Sequence, residues 1–147
     1  MCFLILLSDT TPFTDLVGDR IVSVFSLRQK GDIIRKKTGQ VADSFRVSIT
    51  VSDAEWDSFP KQAKDAITFL EKHSNYIKET LASHKATDAY LDFPLYSRLG
   101  GPKNIANQNN LLPKDLIKLA GHIGIGINMS IYEKDDLDDV LDQANDG

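Results

Sequence analysis

Three histidines, one cysteine and a few closely spaced carboxylates are the residues of this chain whose types could do chemistry. His73 and His84 are eleven positions apart, about three helical turns, so they can share a helix face. On an unbroken helix they would stand roughly 16 Å apart, at about 1.5 Å per residue, too far to ligate one metal ion. His122 follows Gly121 and reads as a helix-end residue favourable to the dipole. Cys2 would be a nucleophile only beside a base, and its place in an apolar run reads instead as a small buried hydrophobe. A single cysteine forms no intramolecular disulfide, and it makes no structural zinc site with three scattered histidines. The residues therefore predict no catalytic centre, no metal and no cofactor.

Asp88, Tyr90 and Asp92 recur at period two, which puts them on one face of a strand. Paired carboxylates can do acid–base work, but neighbours this exposed read as a solvated or binding face. Gly121-His122-Ile123-Gly124-Ile125-Gly126 resembles a glycine-rich nucleotide loop. Its polarity is wrong. A phosphate loop runs from a strand into a helix N-terminus, whereas these glycines leave a helix and enter a strand.

Charge is distributed unevenly. From Glu133 onward there are seven acids and one lysine, a net −6, so the rest of the chain carries +2 within the total of −4. The segment holds Asp135, Asp136, Asp138, Asp139 and Asp142, with Leu137, Val140, Leu141 and Ala144 at i, i+3, i+4 and i+7. That spacing predicts an acidic amphipathic helix able to dock a cationic partner. Arg28, Lys30, Arg35, Lys36 and Lys37 form a basic run flanked by Phe25 and Phe45. The run raises a nucleic-acid reading, opposed by the negative total charge and the lack of an aromatic RNA-binding signature.

The elements that must position these residues follow from periodicity. Met1–Leu7 lacks a positively charged leader and a small-residue cleavage site, so it reads as a buried strand within a soluble, cytoplasmic protein. Thr11-Pro12 starts a short helix that Gly18 stops, and Ile21–Leu27 is a strand. Residues 30–39 form a loop or a ragged hairpin. Phe45, Val47, Ile49 and Val51 alternate with polar residues in a half-buried strand. A helix spans about Ser58 to Ser83, with a possible break near His73-Ser74-Asn75. A strand over 89–93 ends at Pro94, or that proline marks a sheet edge. Leu112–Ala120 is a helix stopped by Gly121, and Ile125–Tyr132 is a one-sided strand carrying Asn128 and Tyr132 outward.

Strand, helix, strand, strand, helix, strand is the split βαβ, ferredoxin-like order. The expected fold is a single α+β domain over residues 1–147: an antiparallel sheet packed by helices on one face, with an added helix–strand unit and the acidic segment. At 41% hydrophobic and 26% charged residues, wholesale disorder is not expected.

Lys30-Gly31-Asp32 after an early strand, a long central helix, and Leu112-Pro113 through Leu119-Ala120-Gly121 leading to Tyr132 together resemble a small uncharacterised bacterial α+β domain family. Relatives of that kind of domain occur beside polymorphic toxins as immunity proteins. The resemblance implies a non-enzymatic protein that binds and neutralises a cognate toxin in the cytoplasm. The expected partner is a protein with a basic surface, with no membrane and no nucleic acid involved. The surfaces expected to bind it are Asp135, Asp136, Asp138, Asp139 and Asp142, then the polar sheet face with Asp88, Tyr90, Asp92, Asn128 and Tyr132. The alternative is a regulatory domain binding nucleic acid or a small ligand.

Overall fold

The stretch Cys2-Phe3-Leu4-Ile5-Leu6-Leu7 is apolar at successive positions, and a strand at the centre of a sheet buries such a run best. The computed structural model, which describes residues 1–100 and 103–133, places it there. The elements in order are β1 (Cys2–Ser8), a 3-10 turn (Thr14–Leu16), β2 (Val24–Arg28), β3 (Ile33–Arg35), β4 (Gln40–Val41), β5 (Phe45–Ser52), α1 (Phe59–Ser83), β6 (Asp88–Tyr96), α2 (Lys114–Ile123) and β7 (Gly126–Tyr132). The main sheet has the order β2-β5-β1-β6-β7, and β3 with β4 makes a separate two-stranded hairpin.

The fold is α+β, with a mixed sheet rather than the expected antiparallel one. β1 runs antiparallel to β5 and β6, while β7 lies parallel to β6. β5 and β6 are joined by α1 and separated by β1, so they run parallel without touching. β6 and β7 are joined by α2 and pair directly, and that crossover forces their parallel register. The expected helix after β1 is a single 3-10 turn, since Gly18 at φ 85° stops the chain one turn after Pro12.

One face of the sheet carries the core. Leu4 and Leu6, Val47 and Ile49, and Leu91, Phe93 and Leu95 point to the side where α1 supplies Phe59, Ala63, Ala66, Leu70 and Ile77. α2 adds Leu116, Ala120 and Ile123 to the same cluster. Truncating a fully buried member such as Leu91 to alanine costs about 2–5 kcal/mol.

Three local expectations need correction. α1 runs unbroken through His73-Ser74-Asn75, since its apolar stripe continues to Ile77. Gly121 does not stop α2; the helix continues to Ile123 and Gly124, at φ 86°, caps it with its N–H on the Ala120 and Gly121 carbonyls. Pro94 neither ends β6 nor marks a sheet edge. It lies beyond the last residue that β1 pairs, on the side of β6 where no strand follows, so its missing N–H costs no ladder bond. The Gln62 side chain takes its carbonyl instead, at 3.2 Å.

Candidate binding face

The face opposite the helices carries no helix among the described residues. Its composition follows from register. Phe3 pairs with Thr50 on one side and Asp92 on the other, Ile5 with Ser48 and Tyr90, and Leu7 with Arg46 and Asp88. β2 adds Ser26 beside Ser48 and Arg28 beside Arg46. β7 extends the rows with Gly126 beside Tyr90, Asn128 beside Asp92, Ser130 beside Pro94 and Tyr132 beside Tyr96. Across the face, arginines stand on β2 and β5, apolar side chains on β1, and aspartates on β6.

Asp88, Tyr90, Asp92 and Asn128, expected on one face, are brought together as expected. The geometry around Asp92 is more constrained than a solvated strand face. Asp92 Oδ1 accepts from Ser130 Oγ at 2.7 Å and from Asn128 Nδ2 at 2.8 Å, and Asn128 Nδ2 also lies 3.1 Å from Ser130 Oγ. The half-buried carboxylate is thereby fixed in orientation, which preorganises it to meet a donor from outside.

Tyr132 belongs to a different group. Its ring lies 5.1 Å from Trp56, and Trp56 lies 5.4 Å from Tyr96, making an aromatic trio at the end of the sheet where β6 and β7 finish. Beside it opens a groove of about 380 Å³, lined by Trp56, Phe59, Leu95 and Tyr96 on one side and by Arg98 and residues 108–111 on the other. Gln108 shapes this wall: its Oε1 accepts from the Arg98 N–H at 2.7 Å and its Nε2 donates to the Tyr96 carbonyl at 3.2 Å. The sequence reading missed Trp56, whose role depends on a loop folding back onto strands 40 and 76 residues later in the chain.

Phe25 entered the sequence reading only as a flank of the basic run. It is 59% exposed, at a register irregularity in β2, with its ring 4.8 Å from Phe3. Exposed Phe25 on half-buried Phe3, with half-buried Leu7 on the same face, gives the open face an apolar centre.

Asp135, Asp136, Asp138, Asp139 and Asp142 lie outside the described residues. The basic run is divided: Arg28 ends β2 in the main sheet and Lys30 follows it, while Arg35, Lys36 and Lys37 lie on the β3–β4 hairpin, where every residue from 31 to 41 is exposed, including Ile33 and Val41.

No protein-family model matches the chain, and no curated protein or solved structure matches it either.

The histidines are kept apart. His84 is buried rather than solvated: Nε2 lies 2.8 Å from Asp15 Oδ1, Nδ1 lies 3.0 Å from the Thr80 carbonyl and from Ser83 Oγ, and the ring stacks on Phe13 at 5.0 Å. Ser8, fully buried, ties β1 to this point by donating to the His84 carbonyl at 2.8 Å. His73 packs on Phe69 at 4.8 Å, and desolvation followed by Lys72 lowers its pKa. His122 Nε2 lies 3.0 Å from Lys78 Nζ at the surface. Burial pushes the Cys2 thiol far above its ordinary range, which suppresses the thiolate. Among the described residues no three histidine, cysteine or acidic side chains gather where they could hold a metal ion. No described helix is long and apolar enough to cross a membrane.

Proposed function

We propose that the chain is a non-enzymatic, cytoplasmic binding protein of the bacterial immunity kind, which neutralises a cognate toxin by covering it with the open sheet face. The observation that supports this reading is the pattern on that face. An apolar centre of Phe3, Phe25 and Leu7 is bounded by Arg28 and Arg46 on one flank and by Asp88 and the fixed Asp92 on the other. A protein partner can complement both signs, whereas a polyanion would meet the aspartates. The acidic residues Asp135, Asp136, Asp138, Asp139 and Asp142 fit this reading by their charge, which suits a basic surface on that partner. The strand order β2-β5-β1-β6 supports a ferredoxin-like ancestry for the sheet, with the first helix reduced to a turn and β7 added at the edge.

The test is co-purification of the chain with a toxin from the native host, followed by titration of variants. Phe25→Ser and Asp92→Ala are expected to weaken binding at least tenfold, about 1.4 kcal/mol each. Serine at Asp135, Asp136, Asp138 and Asp139 separates the contribution of the acidic segment. Full affinity in all these variants overturns the reading.

The groove beside Trp56 supports a second reading, a small-ligand-binding domain. Its volume falls at the small end of ligand pockets, and it combines apolar walls with Arg98 and several amides.

A further inference from the structure

The two edges of the main sheet are built differently. β2 is short, carries a register irregularity between Val24 and Ser26 and ends in Arg28, all devices that blunt an edge against further pairing. β7 has none of them. Gly126-Ile127-Asn128-Met129-Ser130-Ile131-Tyr132 contains no charge and no proline, and it pairs with β6 over its whole length without a register shift. No described residue pairs with its outer edge.

The direction of its free backbone groups follows from one bond. The Tyr132 carbonyl accepts from the Ser97 N–H at 2.8 Å, so Tyr132 turns its backbone groups toward β6. Backbone direction alternates along a strand, so Gly126, Asn128 and Ser130 also face β6, while Ile127, Met129 and Ile131 present N–H and C=O outward. These outward residues are evenly spaced about Met129. Their side chains share the helix face of the sheet, yet Ile131 is 59% exposed there.

α2 continues the same flank. Its inner stripe is Leu116, Ala120 and Ile123, and the side toward α1 carries Leu119 and His122, which line a shallow groove with Glu71 and approach Lys78. At 100° per residue, Ile117 and Gly121 fall on the opposite side, above the free edge of β7. Ile117 is 49% exposed, and among the described residues nothing outside the adjoining stretch of α2 lies within 4 Å of where a Gly121 Cβ would be.

We propose that β7 is the interface strand of a homodimer, two copies pairing antiparallel about a two-fold axis at Met129 to give one continuous sheet. This register is self-complementary at every position. Met129 faces its own symmetry mate, and Ile131 covers the second copy's Ile127. Asn128 lies beside the second copy's Ser130, and Tyr132 packs over the second copy's Gly126, where there is no side chain to obstruct it. The outward N–H and C=O groups of Ile127, Met129 and Ile131 then all find partners, as hydrogen-bonded antiparallel pairs. Antiparallel pairing also sends the two Glu133 residues to opposite ends of the interface, eight positions apart along the paired strands, roughly 26 Å at about 3.3 Å per residue. A two-fold contact is closed, so pairing ends at two copies instead of running on as a filament.

Sedimentation velocity of the full chain over a concentration series reads the oligomer directly. A monomer–dimer equilibrium is expected, and Ile131→Lys, at an exposed position that leaves the fold intact by circular dichroism, should raise the dissociation constant at least about tenfold. Met129→Cys supplies an independent readout. Paired residues of this type lie about 5.5 Å apart at Cα, within disulfide range, so oxidation should cross-link this variant. Ile131→Cys, whose mate is position 127, should not cross-link to itself. A chain that stays monomeric at its highest soluble concentration overturns the proposal. So does a dimer unmoved by Ile131→Lys, or one in which Cys at position 129 fails to cross-link.

Discussion

The Tyr76 hydroxyl donates to Asp19 Oδ2 at 2.7 Å, fastening the loop after β1 to the second half of α1. The loop needs such a fastening because the expected helix there is a single 3-10 turn with few internal bonds. The same contact perturbs both groups. The Tyr76 hydrogen bond, with the Ile21 N–H behind it, holds the Asp19 carboxyl below its usual range. Burial, followed by the bond to Asp19, pushes Tyr76 up to about 12.

Both shifts make stability depend on pH, in opposite directions. A carboxyl depressed in the fold stabilises above its unfolded pKa, near 3.9, and that contribution is lost as pH falls through the folded value. A tyrosine raised in the fold stabilises below its unfolded pKa, near 10, and that contribution is lost as pH rises toward the folded value. Urea midpoints of the native chain should therefore fall below about pH 4 and again above about pH 10. Tyr76→Phe should flatten the alkaline limb and weaken the acid one. An alkaline limb unchanged in this variant would place its origin elsewhere.

Asp65 adds to the acid limb by the same sign. Lys61 Nζ at 2.8 Å and then the Ser52 hydroxyl at 2.6 Å hold its carboxyl low, joining the start of α1 to the end of β5. Asp65→Asn should lower the midpoint at pH 7, and the difference from the native chain should shrink as pH falls below about 4. Since Lys61 is exposed, added salt should remove part of the effect at pH 7.

How much of this was legible in the sequence depends on the range of the interactions. Strict alternation in Phe45–Ser52 and Asp88–Phe93 is a local signal, and both strands form. Gly121 and Pro94 were misread because their meaning is set by distant neighbours: the last packed residue of α2 is Ile123, beyond Gly121, and the partner of the Pro94 carbonyl is Gln62. That Asp88, Tyr90 and Asp92 share one face could be expected from period two alone. That Ser130 and Asn128 lie beside Asp92 could not, because the parallel register is fixed by how α2 packs. Trp56 and Phe25 carried no spacing signal, one lying in a loop and the other at a register irregularity.

Gln62 illustrates a buried polar group that serves the fold. It is fully buried, and its amide donates to the Glu55 carbonyl at 2.9 Å and the Pro94 carbonyl at 3.2 Å, closing the loop before α1 onto β6. Gln62→Met keeps the volume and removes both donors, so two carbonyls lose their partner. The expected loss is about 1–3 kcal/mol of unfolding free energy, read from chemical denaturation with an unchanged m-value. A loss well below that range would mean water replaces the amide.

The His84 ring should matter more than its partner carboxylate. Asp15 is largely exposed, so Asp15→Ala removes one hydrogen bond that water can replace, at a cost of about 1 kcal/mol or less. His84→Ala removes the stack on Phe13 and the contacts to Thr80 and Asp15, and opens a void beside the Ser8 anchor. Its cost is expected at about 2–4 kcal/mol, in the range of large-to-small core replacements. Equal effects from the two substitutions would mean that the contact with Asp15, not the packing, holds this end of α1.

Trp56 is the chain's only tryptophan, so its emission reports on the groove and the aromatic trio without labelling. A compound entering the groove would touch Trp56 and Tyr96 together, whereas a protein on the open face would meet Phe25, Phe3 and Tyr90 first. The two modes are therefore separable by fluorescence. Saturable quenching by a small molecule, abolished in Arg98→Ala but intact in Phe25→Ser, would favour the ligand-binding reading. A partner protein whose binding is lost in Phe25→Ser, with Trp56 emission little changed, would favour the open face. Arg98→Ala should leave the fold nearly unperturbed, because among the described residues its guanidinium makes a single 3.3 Å hydrogen bond, to the Asn109 carbonyl on the surface. Loss of ligand quenching in that variant would then report recognition by the guanidinium itself.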